Sequence, residues 1–153
     1  MNYKEWQLSL PSEITEDPLW HMELYRQALF LSELTWKDAQ KLEMAKIAAS
    51  LSSQLLRAVG SIAANIAEGF SHASKKNQAR FYEYALGSAR ESKVWYIQAR
   101  HVLGEAVYMH RISLLTHITK QLLSLIPNQR GYKIKDANAS YEADSLFSKV
   151  PVS

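Results

Sequence analysis

Apolar side chains recur at three- and four-residue steps along most of the chain, a period that predicts helices. Asp17-Pro18 supplies a capping side chain followed by proline at the first helical position, and a first helix is predicted from there to about Thr35. Its apolar residues form two stripes. Trp20, Leu24, Ala28 and Leu31 lie on one side; Met22, Tyr25, Leu29 and Trp36 lie roughly 160° away at about 100° per residue. A helix apolar on two sides needs two partners, its own bundle and another subunit, so Met22, Tyr25 and Leu29 are the expected oligomer interface. Thr35 and Asp38 form a capping-box variant that marks a turn, unless the first helix runs on. A second helix is expected from about Trp36 to Glu68, with Gly69 as its left-handed cap. Its core stripe is Leu42, Ala45, Ala49, Ser52, Leu55, Val59, Ile62 and Ile66.

Ser74 is placed to cap a third helix running to about Leu103, where Gly104 ends it. Phe81, Ala85, Ser88, Ser92, Trp95, Ala99 and Val102 give it a heptad seam. A fourth helix, about Glu105 to Ile126, turns Val107, Leu114, Leu115, Ile118, Leu122 and Leu125 inward, and Pro127 stops it. Residues 1–16 read as a loosely held N-terminal arm, and residues 128–153 as a flexible tail or a short docking segment. The expected fold is all-α: an antiparallel up-down-up-down four-helix bundle over residues 17–127.

The composition narrows the class. With 153 residues, 47% apolar and 22% charged, the chain is long enough for one domain with a sizeable core and is not of disordered type. The absence of cysteine excludes disulfides, Cys-ligated metals and thiol nucleophiles, and fits a cytoplasmic setting. Five glycines and four prolines are few for an all-β fold. Met1 to Leu10 carries charge and no apolar block, unlike a secretory signal. No apolar run approaches the roughly 20 residues that cross a bilayer, so no membrane partner is expected. A net charge of +3 and a pI near 9.1 permit a nucleic-acid partner without demanding one.

Arg57, Ser61, Asn65 and Glu68 fall within roughly 80° of one another and make a polar ribbon beside the apolar stripe. Gly60, Ala63, Ala64 and Ala67 form a strip of small residues on a third side. Polar groups near a core need partners, so Asn65 and Glu68 are expected to bond to helix ends and to Arg57, fixing the turn at Gly69. An active site here would lack a nucleophile or a second acid, and no catalytic residue is assigned.

The stretch SIAANIAEG at 61–69, followed by Phe81-Tyr82, Ala85, Gly87-Ser88-Ala89 and Glu91, resembles the bacterial four-helix-bundle family of proteins encoded in intervening sequences of large-subunit ribosomal RNA genes. The accessory variability determinants of diversity-generating retroelements are similar in fold. The resemblance covers about residues 20–126. It implies a homopentameric, barrel-shaped ring and, in the retroelement branch, a reverse-transcriptase partner and contact with its template RNA. The ribosomal branch implies only a suspected nucleic-acid role. Ala63 stands where a proline is common in the family, and the C-terminal tail is long.

On the third helix Lys75, Lys93 and Arg100 fall within about 20° of one another, with Arg90 roughly 60° away. Lys76 and Arg80 add charge near its start, and Tyr82 lies between the cations. From 71 to 101 six Lys and Arg oppose Glu83 and Glu91. Such a strip suits phosphates, and Tyr82 is the expected stacking surface for a base. On one chain the same stripe reads first as an ordinary solvated face; a ring would repeat it into a wide basic surface. His110 and His117 lie about 10 Å apart by helix rise, too far to share a metal unaided. The expectation is a non-catalytic oligomeric adaptor with no cofactor. Its partners would be further copies of itself, RNA or DNA and, in the retroelement branch, a reverse transcriptase. The alternative is a module that binds only proteins.

Overall fold

The computed structural model describes residues 1–130 and 143–153. The described residues form an all-helical protein with seven α-helices, four of them long. These are α1 (Tyr3–Leu8), α2 (Ser12–Thr15), α3 (Glu23–Met44), α4 (Ala49–Phe70), α5 (Lys75–Leu103), α6 (Glu105–Arg130) and α7 (Ala143–Ser148). Cross-links between side chains give the directions of the long helices. Gln121 of α6 donates to Gln27 of α3, and Arg111 meets Asp38, so α3 and α6 run opposite ways. Arg57 of α4 reaches Glu91 of α5, and Lys93 of α5 reaches Thr116 of α6. Leu31, Leu42, Leu55, Ile62, Ile66, Leu114, Leu115, Ile118 and Leu122 are among the residues that fill one shared core.

Several boundaries depart from expectation. Asp17 does cap Pro18, accepting the Leu19 N–H at 2.8 Å, but the product is a short 3-10 turn, Pro18–His21. α3 then begins at Glu23 and passes straight through the expected turn at Thr35. Thr35 and Asp38 do not cap anything; both are buried. They continue the inward stripe Leu24, Ala28, Leu31, Thr35, Asp38 and Leu42 at three- and four-residue steps. Thr35 spends its hydroxyl on the Leu31 carbonyl at 2.7 Å, so it interrupts nothing. The break falls at Ala45, in extended conformation, and α4 starts at Ala49 rather than near Trp36.

Gly69 is not a left-handed cap: it lies inside the last turn of α4, and the positive-φ glycine among the described residues is Gly104, at φ 89°. Gly69 is small because Tyr82 packs over it. A Cβ there would stand 2.7 Å from Tyr82 Cε1, closer than such atoms approach. α6 likewise does not stop at Pro127 but continues one turn to Arg130.

The seam of α5 is displaced by about one residue. Tyr82, Ala85, Ala89, Ser92, Tyr96, Ala99 and Leu103 are buried, whereas Phe81, Ser88, Trp95 and Val102 are half-exposed. Both sets are heptads sharing Ala85, Ser92 and Ala99, so spacing alone leaves the choice open. Two tyrosines decide it. Tyr96 donates to Asp38 Oδ2 at 2.9 Å and lies 2.8 Å from Thr35 Oγ1, and Tyr82 fills the space above Gly69.

The chain ends are also held down. α1 opens with a reciprocal cap between Asn2 and Glu5. It buries Trp6 against Phe30 and Trp20, while Tyr3 packs on Phe30 and on Phe147 of α7. Burial, and Glu23 beside it, push the Tyr3 hydroxyl up to about 12. Within the expected loose arm at 1–16, α1 is therefore held by its own aromatic anchors, whereas α2 buries no residue. Residues 143–153 dock rather than trail: Leu146 and Pro151 offer their carbonyls to His110 and Arg111. The part of the expected flexible tail at 131–142 lies outside the described residues.

Met22, Tyr25 and Leu29 are half-buried against the core of their own chain, so that stripe is partly covered without another subunit. Trp36, farther along it, is 59% exposed. By length and composition Lys46–Phe70 could cross a membrane, contrary to the reading of the sequence. In this fold Leu55, Val59, Ile62 and Ile66 face the core and Arg57 and Glu68 face out, as in a core helix of a globular protein.

Candidate nucleic-acid interface

Two polar regions stand out, one inside and one outside. The inner one centres on Asp38 and Arg111. The guanidinium donates to both carboxylate oxygens, at 2.8 and 3.1 Å, and both side chains are essentially inaccessible. Tyr96 completes the carboxylate, and burial together with Asp38 raises its hydroxyl well above the ordinary tyrosine range. Arg111 Nη1 also lies 2.8 Å from His110 Nδ1. An arginine only donates, so Nδ1 accepts, and His110 Nε2 carries the proton given to the Leu146 carbonyl at 2.7 Å. Burial lowers the pKa of His110, and the charge of Arg111 lowers it further. The cavity beside Arg111 measures about 20 Å³, room for about one water molecule. The guanidinium of Arg111 is matched on all three nitrogens, so the arrangement holds helices together.

Sequence reasoning missed this network. Asp38 and Arg111 are 73 residues apart. A signal existed all the same: each charge stands at a core step of its helix, and the two are opposite in sign.

The outer region is the face of α5. Lys75, Lys76, Arg80, Arg90 and Arg100 are exposed there, as expected. Among the described residues, Lys75, Lys76, Arg90 and Arg100 form no ion pair. Lys93 is half-buried and donates to Thr116 of α6 at 2.8 Å. Its pKa is lowered, first by burial and then by Arg90 and Lys120. Lys120, on α6, thus belongs to the same positive patch, which no reading of α5 alone would find.

Tyr82 is the correction on this face. It is 3% exposed and cannot offer a ring to a base, because the true seam of α5 turns it inward over Gly69. The accessible ring is Tyr84, 46% exposed, whose hydroxyl receives the Arg80 Nε proton at 2.7 Å. The i,i+4 spacing of Arg80 and Tyr84, off the heptad, was the available signal.

The ribbon on α4 is also wired differently from expectation. Asn65 donates to the Ser61 carbonyl at 2.8 Å, and Ser61 to the Arg57 carbonyl at 2.7 Å, both within the helix. Arg57 pairs with Glu91 of α5 and not with Glu68, which is exposed. The ribbon ties α4 to α5 at one point and leaves the Gly69 turn to Tyr82 packing. Among the described residues, no group of three or more His, Asp or Glu could hold a metal ion.

The structure thus defines an all-helical protein in which Asp38 and Arg111 satisfy each other inside, while Lys75, Lys76, Arg90 and Arg100 on α5 form no ion pair among the described residues. Residues 21–124 match the 23S rRNA-intervening sequence protein family, and the chain belongs to that family. The match ends before α7 and begins after α1, so both terminal clasps lie outside it. No curated protein and no solved structure matches the chain.

Proposed function

We propose that this protein is a non-catalytic adaptor that binds nucleic acid through the outer face of α5. The observation that carries the reading is the row of exposed cations that form no ion pair among the described residues: Lys75, Lys76, Arg90 and Arg100. Affinity for a polyanion would come mainly from counterion release and would fall steeply with salt. The four long helices act as an antiparallel four-helix bundle, and copies of it assemble as a ring in the cytoplasm. The contact between copies extends the Met22, Tyr25 and Leu29 stripe to exposed Trp36, and the ring multiplies the basic face. A reverse transcriptase with its template RNA is the proposed partner complex.

The test is a variant carrying Lys75→Glu, Arg90→Glu, Lys93→Glu and Arg100→Glu. Binding to RNA and DNA should drop by at least about tenfold at low salt, consistent with removing several phosphate contacts. Unchanged binding overturns the site. Light scattering at micromolar concentration should show a multiple of the protomer mass, and a monomer removes the ring. A protein-only module is favoured by one observation, the exposure of Trp36, Met44 and Ile47; its binding would tolerate salt.

A further inference from the structure

We propose that the corner where α4 passes into α5 is a stacking platform for the unpaired bases of a single-stranded nucleic acid, with Tyr84, Phe81 and His72 as its rings and Lys75, Lys76 and Arg80 as its phosphate contacts. This rests on the nucleic-acid reading above and goes beyond it, since a strip of charge alone would take duplex and single strand alike.

The corner gathers aromatic surface that the core does not take in. Phe70 is 40% exposed and Tyr84 46% exposed. His72 lies flat on Phe81, with ring centroids 4.8 Å apart and planes 15° from parallel. Phe81 in turn meets Tyr84 edge-on at 5.7 Å. The His72–Phe81 stack and the Tyr84 ring thus lie side by side at the corner. The Arg80 guanidinium stands 5.6 Å from the centre of the Tyr84 ring and holds its hydroxyl. A ring fixed in this way loses little freedom when a base stacks on it.

The charge of the corner selects the occupant. Lys76, Arg80 and Tyr84 follow one another at four-residue steps, each about 6 Å along the axis of α5. Lys75 and Lys76 fill the first turn of α5, and no acidic side chain shares it. Three cations among exposed rings, against Glu68 and Glu83 in the same stretch, suit a backbone of phosphates carrying free bases. Bases inside a duplex are already stacked and cannot reach these rings.

The experiment is anisotropy titration of a labelled uridine oligonucleotide of about 12 nucleotides, a span typical of such sites, beside a labelled RNA duplex of similar length. The full chain and its Tyr84→Ala and Tyr84→Phe variants are compared after their melting curves are shown to coincide. The full chain should prefer the single strand. Tyr84→Ala should bind it about 5- to 100-fold more weakly, as expected for loss of one stacked base, with duplex affinity within about twofold. Tyr84→Phe keeps the ring and should retain the single-strand preference. Tyr84→Ala binding the oligonucleotide like the full chain, or losing both ligands equally, overturns the platform and leaves the basic strip standing. Failure of the full chain to bind either ligand at low salt removes the nucleic-acid reading and the platform together, and turns the exposed rings toward a protein partner.

Discussion

Among the described residues two arginine–carboxylate pairs join neighbouring helices, and they differ in what surrounds them. Arg111 and Asp38 sit at 1% and 0% exposure, with Tyr96 on the same carboxylate and His110 on the same guanidinium. Arg57 and Glu91 sit at 59% and 37%, open to water and to salt. The inner pair is a constraint, because its charges must meet or stay unsatisfied in the core. The outer pair is one contact beside α5 cations that form no ion pair among the described residues. The interior accounts for the fold, and the α5 surface is where function is to be sought.

The largest effect should follow from cutting the inner pair. Arg111→Leu leaves Asp38 buried without its partner and should lower unfolding free energy by about 3–5 kcal/mol in urea titrations. A loss below about 1 kcal/mol would mean that the pair does not hold α3 to α6. Next comes Gly69→Ala. Glycine to alanine inside a helix ordinarily stabilises, but the new methyl would meet the Tyr82 ring at 2.7 Å. A loss of about 1–3 kcal/mol is expected from overpacking. Gly87→Ala on the open face, where nothing lies within 4 Å, should instead gain about 0.5–1 kcal/mol. Equal signs at the two glycines would contradict the placement of Tyr82.

A smaller effect concerns pH. Burial lowers the pKa of both His110 and His117 from 6.5, and Arg111 adds to this at His110. The unfolded chain therefore takes up these protons first as pH falls. Stability should be fully present above about 6.5 and should decline below it until the folded-state values are passed. His110→Gln should flatten that decline in denaturation midpoints measured from pH 7.5 to 5; an unchanged decline would clear His110 of the effect. The smallest effect is at the outer pair, where Arg57→Ala should cost under about 1 kcal/mol, and a cost equal to that at Arg111 would erase the contrast.

Much of the fold was legible because helices announce themselves by period. The Ser74 cap, the end of α5 at Gly104 and the inward stripe Leu55, Val59, Ile62 and Ile66 stand where the pattern put them. What failed to show were choices made by distant partners. Thr35 and Asp38 have the chemistry of a cap, and only Tyr96 and Arg111, from other helices, make them core residues. Gly69 has the chemistry of a turn, and only Tyr82 explains its place inside α4. The same one-residue rotation of α5 removed Tyr82 from the candidate site. Lys76, Arg80, Arg90 and Arg100 belong to neither heptad and stay exposed whichever is buried, whereas one tyrosine carries no mark of its side.

The most direct test of the functional claim is the salt dependence of RNA binding by the full chain. Plotted as log affinity against log salt for a single-stranded RNA, the slope should be steeply negative, about −0.7 for each phosphate neutralised. It should become shallower in the variant with Lys75, Arg90, Lys93 and Arg100 changed to glutamate. A flat plot, or the same slope in both proteins, would contradict the assignment of the α5 face.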